Sequence, residues 1–210
     1  MGSGSKEYFD DVAAQWDEMQ KSFFSDSVKG KAFAAAGVAP GKLAADIGAG
    51  AGFITRGLID RGLKVIAVDQ SAGMLDQMRA AFGNNPGIDY RVGQAEKLPI
   101  ADGEMDYVFA NMFLHHVGNP EMAVQEMVRI LKPNGRLVVT DMNSHTFEFL
   151  RSEQHDRWLG FMHDELRTWF ASAGLESIKV ENAEEKCSSS SVGSQELAEI
   201  EIFLALGTKP

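Results

Sequence analysis

The chain has 210 residues, 44% of them hydrophobic, with a formal net charge of −10 and a pI near 5.0. That length and apolar content suit a single domain over residues 6–210, and the acidic balance argues against a nucleic-acid backbone or an anionic membrane surface as the main partner. No apolar run approaches the ~20 residues of a membrane span, and the lone Cys187 excludes an internal disulfide and any multi-cysteine zinc site. A cytoplasmic location is therefore expected; no metal ligands are assigned, the oligomeric state is open, and Met1–Ser5 reads as a flexible leader.

From Lys6 to Ala36 the pattern is helical, with Tyr8, Phe9, Val12 and Trp16 at roughly 3.6-residue spacing, which predicts two helices and a C-cap at Gly37. After Pro40-Gly41 the chain alternates. Strands are expected at Leu43–Ile47, Lys64–Asp69, Ile88–Gly93, Met105–Asn111 and Leu137–Asp141, and helices at Phe53–Arg61, Ala72–Phe82 and Glu121–Leu131. That order predicts an α/β fold, a parallel sheet with helices on both faces. Lys132-Pro-Asn-Gly135 reads as a turn before the fifth strand, and Ser188–Ser191 as a mobile loop. The tail carries a helix over Glu165–Ala173, capped by Gly174, and two apolar strands near Leu175–Val180 and Ile202–Gly207.

The stretch Ala44 to Gly52 closes one apolar run and opens a helical one, so it reads as strand, tight turn and helix. Gly48, Gly50 and Gly52 let the backbone turn sharply and bring N–H groups against a ligand, and Asp46 adds a carboxylate beside that turn. A dinucleotide fingerprint would place glycine three residues after Gly50, where Phe53 stands, and no lysine follows as a phosphate loop requires. An acid followed by three alternate glycines suits a ligand with a cationic amine and a ribose.

Ligands of open α/β sheets bind at the carboxyl ends of the strands. The second strand ends in Asp69, 17 residues after Gly52 and placed to accept hydrogen bonds from both ribose hydroxyls, with Gln70 beside it. Ser71 is a helix cap, and Met74 either covers an adenine face or simply fills the core. The third strand leads into Gln94-Ala95-Glu96, the fourth ends in Asn111 and runs on to Leu114-His115-His116-Val117, and the fifth ends in Asp141.

The acid and glycine turn, the segment Tyr8-Phe9-Asp-Asp-Val12-Ala-Ala-Gln-Trp16, the Leu114-His115-His116-Val117 run and Arg129-Ile-Leu-Lys-Pro-Asn-Gly135 resemble the class I S-adenosylmethionine (SAM) methyltransferases, in particular the ubiquinone and menaquinone biosynthesis C-methyltransferases. The resemblance covers about Tyr8 to Met142. It implies a Rossmann-like seven-stranded, mostly parallel sheet with the last strand antiparallel between the fifth and sixth, and an N-terminal helical lid over the cofactor's methionine end. It further implies SAM contacts from Asp46, Gly48, Gly50, Gly52, Asp69, Gln70, Met74, Gln94, Ala95, Glu96 and Asn111. In relatives the position of Gln94 is often an aspartate that accepts from the adenine amino group. The amide carbonyl of Gln94 still accepts, without charge assistance.

SAM carries a methyl already activated for attack, so alignment and solvent exclusion supply much of the catalysis, and a general base is optional. The candidate bases are His115, His116, Asp141, His145 and His163, with His115, His116 and Asp141 favoured by their strand ends. The expected activity is methyl transfer to a small-molecule acceptor. Two other readings are a catalytically silent SAM-binding module, which would use the same turn, and a nicotinamide oxidoreductase, which Phe53 disfavours. The run His155-Asp-Arg-Trp-Leu-Gly-Phe161 is distinctive, with no substrate attached to it.

Overall fold

The computed structural model describes residues 25–210. The expected lid with Tyr8, Phe9 and Trp16 lies outside the described residues. Helix α1 (Ser27–Ala36) ends at Gly37, whose φ of 58° and N–H bond to the Ala34 carbonyl (3.1 Å) make the expected C-cap. Strands β1 (Leu43–Ile47), β2 (Lys64–Asp69), β3 (Ile88–Val92), β4 (Met105–Asn111) and β5 (Leu131–Met142) then alternate with helices α2 (Phe53–Ile59), α3 (Ala72–Phe82) and α4 (Pro120–Arg129). Two short elements escaped the sequence pattern: a 3₁₀ turn at Leu114–His116 and helix α5 (Phe149–Glu153). Helix α6 (His163–Ser172), β6 (Glu176–Ser190) and β7 (Leu197–Thr208) complete the chain.

The sheet has seven strands in the order β3-β2-β1-β4-β5-β7-β6, with β7 antiparallel to both β5 and β6 and the first five strands parallel. This is the Rossmann-like methyltransferase sheet that the resemblance implied. Alternation along each strand decides which side chain meets which helix. Ala45, Ile47, Val68, Val108 and Ala110 pack toward Val124 and Met127 of α4 and Phe170 of α6. Ala44, Val65, Phe109 and Val138 pack toward Phe33 of α1 and Ile54 and Leu58 of α2. Asp46 shares the second face with Ala44, which aims its carboxylate at the start of α2.

Two expectations are corrected. The Lys132–Gly135 turn lies within β5, as an irregularity between the Met105/Leu131 and Tyr107/Arg136 pairs; Asn134, at φ 63°, donates its N–H to the Lys209 carbonyl (2.8 Å), so the backbone stays satisfied across the bend. The serine-rich stretch is strand rather than mobile loop: Ser188, Ser189 and Ser190 pair with Glu199, Ala198 and Leu197. Cys187, Ser189 and Ser191 face inward, and the two inward hydroxyls have partners on or beside α5, Ser189 with Gln154 and Ser191 with Glu153. Serine supplies no apolar alternation for a sequence reading to detect, and only the partner strand fixes its register.

Candidate active site

The turn after β1 is built as the glycine spacing requires. Gly48 and Gly50 have φ of 68° and 51°, and the N–H groups of Gly48 and Ala49 both bond the Val68 carbonyl, at 2.9 and 3.1 Å. Asp69 braces this turn: Oδ2 accepts from the Gly50 N–H (2.9 Å) and Oδ1 from the Ser71 N–H (2.8 Å). A carboxylate oxygen can accept more than one hydrogen bond, which suits a diol ligand. Ser71 caps α3 by accepting from the Met74 N–H at 3.0 Å, as expected.

Asp46 is buried, and its Oδ2 accepts both the N–H (2.9 Å) and the hydroxyl (2.7 Å) of Thr55 in the first turn of α2. Burial raises its pKa from the usual 3.8 to about 7; the two Thr55 bonds oppose that rise and the Asp69 charge adds to it. A cation arriving at this carboxyl would meet a group poised to give up its proton near neutrality.

A cleft opens along the strand ends, lined by Asp46, Gly48, Gly50, Asp69, Gln70, Met74 and Asn111 at one end and by His115, His116, Gln154 and Cys187 at the other. A smaller cavity beside it takes Gln94, Ala95 and Glu96 together with Asp69, Gln70 and His116. The Phe113 ring borders both, lying so close to Gly48 that a Cβ there would sit 2.1 Å from it. Asn111 accepts the Thr140 hydroxyl at 2.8 Å, which fixes its amide at the end of β4.

Two candidates have an additional structural task. Gly52 caps α2 with φ 101° and borders neither cavity; a Cβ there would stand 2.7 Å from Phe82, so it lets α2 and α3 approach. Glu96 Oε1 accepts the N–H groups of Gly118 and Asn119 at 3.1 and 3.2 Å, tying the exit of β3 to the start of α4.

The structure brings His115, His116 and Asp141 together. His115 Nδ1 lies 2.6 Å from Asp141 Oδ1, whose second oxygen accepts the His115 backbone N–H at 3.2 Å; Oδ1 also takes the Met142 N–H at 2.7 Å. Asp141 is thus wholly buried beneath His115 and borders the cleft only through it. Burial would depress the His115 imidazole, yet the Asp141 and Asp156 carboxylates outweigh it and raise its pKa to about 9. His116 is held well below the ordinary value by burial and the neighbouring His115 charge. His145 and His163 border neither cavity: His145 Nδ1 accepts the Phe147 N–H at 3.3 Å, and His163 Nε2 lies 3.0 Å from Asn143 Oδ1.

Sequence reasoning missed Asp156. It is 4% exposed, sits 3.8 Å from both His115 Nε2 and His116 Nδ1, and burial lifts its pKa to about 6. Its one signal was membership in the distinctive 155–161 run, which carries no periodicity of its own. Cys187, whose thiol burial and the Asp141 and Asp156 charges push up to about 12, was read only as evidence against disulfides.

Residues 45–139 match the family described as a methyltransferase domain, and the strand order is the one that the resemblance to class I SAM-dependent methyltransferases implied. Over those residues the chain is similar to that family. It is similar to the demethylmenaquinone methyltransferase of Renibacterium salmoninarum, 35% identical over 142 residues, a match that covers 66% of this chain and 59% of the relative. The chain therefore spans less than two thirds of that relative's length. Among solved structures, the 4+2 cyclase SpnF superposes with a TM-score of 0.78 at 15% identity, covering 100% of this chain and 96% of its own. Phosphoethanolamine N-methyltransferase 2 of Haemonchus contortus, in complex with S-adenosylhomocysteine, superposes with a TM-score of 0.71 at 18% identity, covering 87% of this chain and 52% of its own. At such identities the likeness shows the fold, and the fold admits more than one reaction.

Proposed function

We propose that the chain transfers a methyl group from SAM to a small-molecule acceptor held at the histidine end of the cleft. The observation that carries this reading is the continuity of one cavity from Asp46, Gly48, Gly50 and Asp69 at one end to His115 and His116 at the other. In it the ribose lies on Asp69, the cationic amine on the Asp46 side, the sulfonium half beside Asn111, and the adenine between Met74 and the Gln94-Ala95-Glu96 stretch. The acceptor then meets Phe113, Met142, His115 and His116. The net charge of −10 supports a small molecule over a nucleic acid, and no helix among the described residues is long and apolar enough to cross a membrane. The similarity to demethylmenaquinone methyltransferases supports a ring-bearing apolar acceptor.

The test is a fractionated metabolite extract incubated with SAM, read as S-adenosylhomocysteine formed by the wild-type chain. Product in one fraction identifies the acceptor. SAM that stabilises the fold while no fraction yields S-adenosylhomocysteine would instead support the silent binding module.

A further inference from the structure

We propose that His115, His116 and Asp156 bind a divalent transition-metal ion at the histidine end of the cleft, with Zn²⁺ the best-fitting occupant. One ligand atom from each of these residues lies within 4.8 Å of the other two, the only such cluster among the described residues. Asp156 Oδ1 is 3.8 Å from His115 Nε2 and 3.8 Å from His116 Nδ1, and that Nδ1 also lies 3.5 Å from the His155 carbonyl, a long contact that a metal bond would replace. A tetrahedral site with ligand bonds near 2.0–2.1 Å has edges of about 3.3 Å, so the two Asp156–histidine edges need close by about half an ångström and the edge between the histidines, within 4.8 Å, by at most about 1.5 Å.

The independent sign of a missing ligand is on Asp156 itself. Both of its carboxylate oxygens are buried and neither has a hydrogen-bond partner. A buried carboxylate without hydrogen bonds is costly: the His115 imidazolium 3.8 Å away offers charge but no hydrogen bond, and a metal ion between Asp156 and the two imidazoles would supply a direct bond.

The outer groups are arranged as a metal site requires. His115 has its Nδ1 on Asp141, which leaves Nε2 aimed at Asp156; a carboxylate on the far nitrogen is the usual device that fixes the tautomer and orientation of a metal-bound histidine. The loop carrying Asp156 is fastened to the histidines from the other side: the N–H groups of Arg157 and Trp158 both bond the His115 carbonyl, at 3.0 and 3.1 Å, and Trp158 Nε1 bonds the Val117 carbonyl at 2.9 Å. Gly160, at φ 70°, comes so close to Asn143 that a Cβ would lie 2.2 Å from its carbonyl oxygen, which holds the far end of the same loop against β5.

The donor set selects the ion. Two imidazoles and one carboxylate suit Zn²⁺, Co²⁺ or Fe²⁺, whereas Mg²⁺ and Ca²⁺ prefer oxygen alone. Three protein ligands leave a position open, and both histidines line the cleft, so the exogenous ligand is an oxygen or sulfur donor on a small molecule. The site rests on this geometry and not on the methyl-transfer reading.

The test uses the full chain, stripped with chelator, without SAM. Co²⁺ titration should give visible ligand-field bands saturating at one ion per chain, and Zn²⁺ should displace it with an affinity that calorimetry reads as micromolar or tighter. Asp156→Asn and His116→Gln should each weaken Zn²⁺ by at least ~100-fold, and Asp141→Asn, acting through His115, by ~10–100-fold. His163→Gln should leave it unchanged. No Co²⁺ bands, or Zn²⁺ affinity preserved in Asp156→Asn, overturns the proposal. Should Asp156→Asn lose its native melting transition, His116→Gln decides in the same way. Because SAM is absent, a failure here leaves the methyltransferase reading standing, and the metabolite screen tests that reading separately.

Discussion

Asp46 is an acid that the fold holds protonated almost to neutrality, and this gives it a measurable effect on stability. Its folded pKa is raised from 3.8 to about 7, so between those values the native chain keeps a proton that the unfolded chain has released. Stability contributed by the neutral acid is therefore full below pH 3.8 and is lost as pH rises through about 7, by at most ~4 kcal/mol. Asp46→Asn should remove that dependence: urea unfolding of the variant and the wild type should diverge steadily from pH 4 to pH 8 in favour of the variant. Parallel curves would mean that Asp46 is not desolvated as described. Asp69 makes the opposite kind of contribution, through hydrogen bonds. Its two oxygens already brace Gly50 and Ser71, and a ribose diol would add charge-assisted bonds to the same atoms. Asp69→Ala should weaken SAM by about 1.5–3 kcal/mol in calorimetry. Unchanged affinity in a folded variant would remove it from the ribose site.

The turn between β1 and α2 works as an element because Gly48 has no side chain where Phe113 lies. Gly48→Ala introduces both a φ of 68° unsuited to alanine and a Cβ 2.1 Å from the Phe113 ring. A loss of ~1–3 kcal/mol in thermal unfolding is expected. Adding Phe113→Ala should recover the steric part and leave the backbone part, a coupling that a double-mutant cycle reads directly. Additive effects of the two substitutions would place Phe113 away from the turn. The far edge of the sheet carries a different test. If Ser188–Ser190 pair with β7 as described, their amides should show hydrogen-exchange protection of the same order as those of Leu197–Glu199. Exchange at the free-chain rate would restore the mobile loop. Serine run and glycine turn differ in legibility for a physical reason: glycine marks a backbone geometry that other residues avoid, whereas serine fits strand and loop alike and waits on its neighbours.

For the molecule as a whole, the expected division of labour is that one end of the cleft binds and the other reacts. In the metal-free chain, His116→Gln should leave SAM affinity within a few-fold while methyl transfer to the identified acceptor falls by roughly 10²–10⁴. Affinity and turnover falling together would make His116 a packing residue of the Leu114–His116 turn. The strand ends carrying Asp46, Asp69, Asn111 and Asp141 could be read from the chain because each closes an apolar run, and a parallel sheet gathers such ends on one edge. The helix caps at Gly37 and Ser71 were legible because capping is settled within a few residues. Other features had no local cause. Asp156 follows His116 by forty positions and reaches it because the loop after β5 folds back onto the His115 carbonyl. Cys187 enters the cleft because β6 runs ten residues past its expected end along β7. The amino-acid sequence by itself determined the alternation of strands and helices, the glycine turn and its acids, since periodicity and backbone sterics act over a few residues. Tertiary structure alone decided that Asp141 would lie beneath His115, that Asp156 would close over both histidines, and that Phe113 would rest on Gly48, because burial and long-range hydrogen bonds exist only once distant segments share one core.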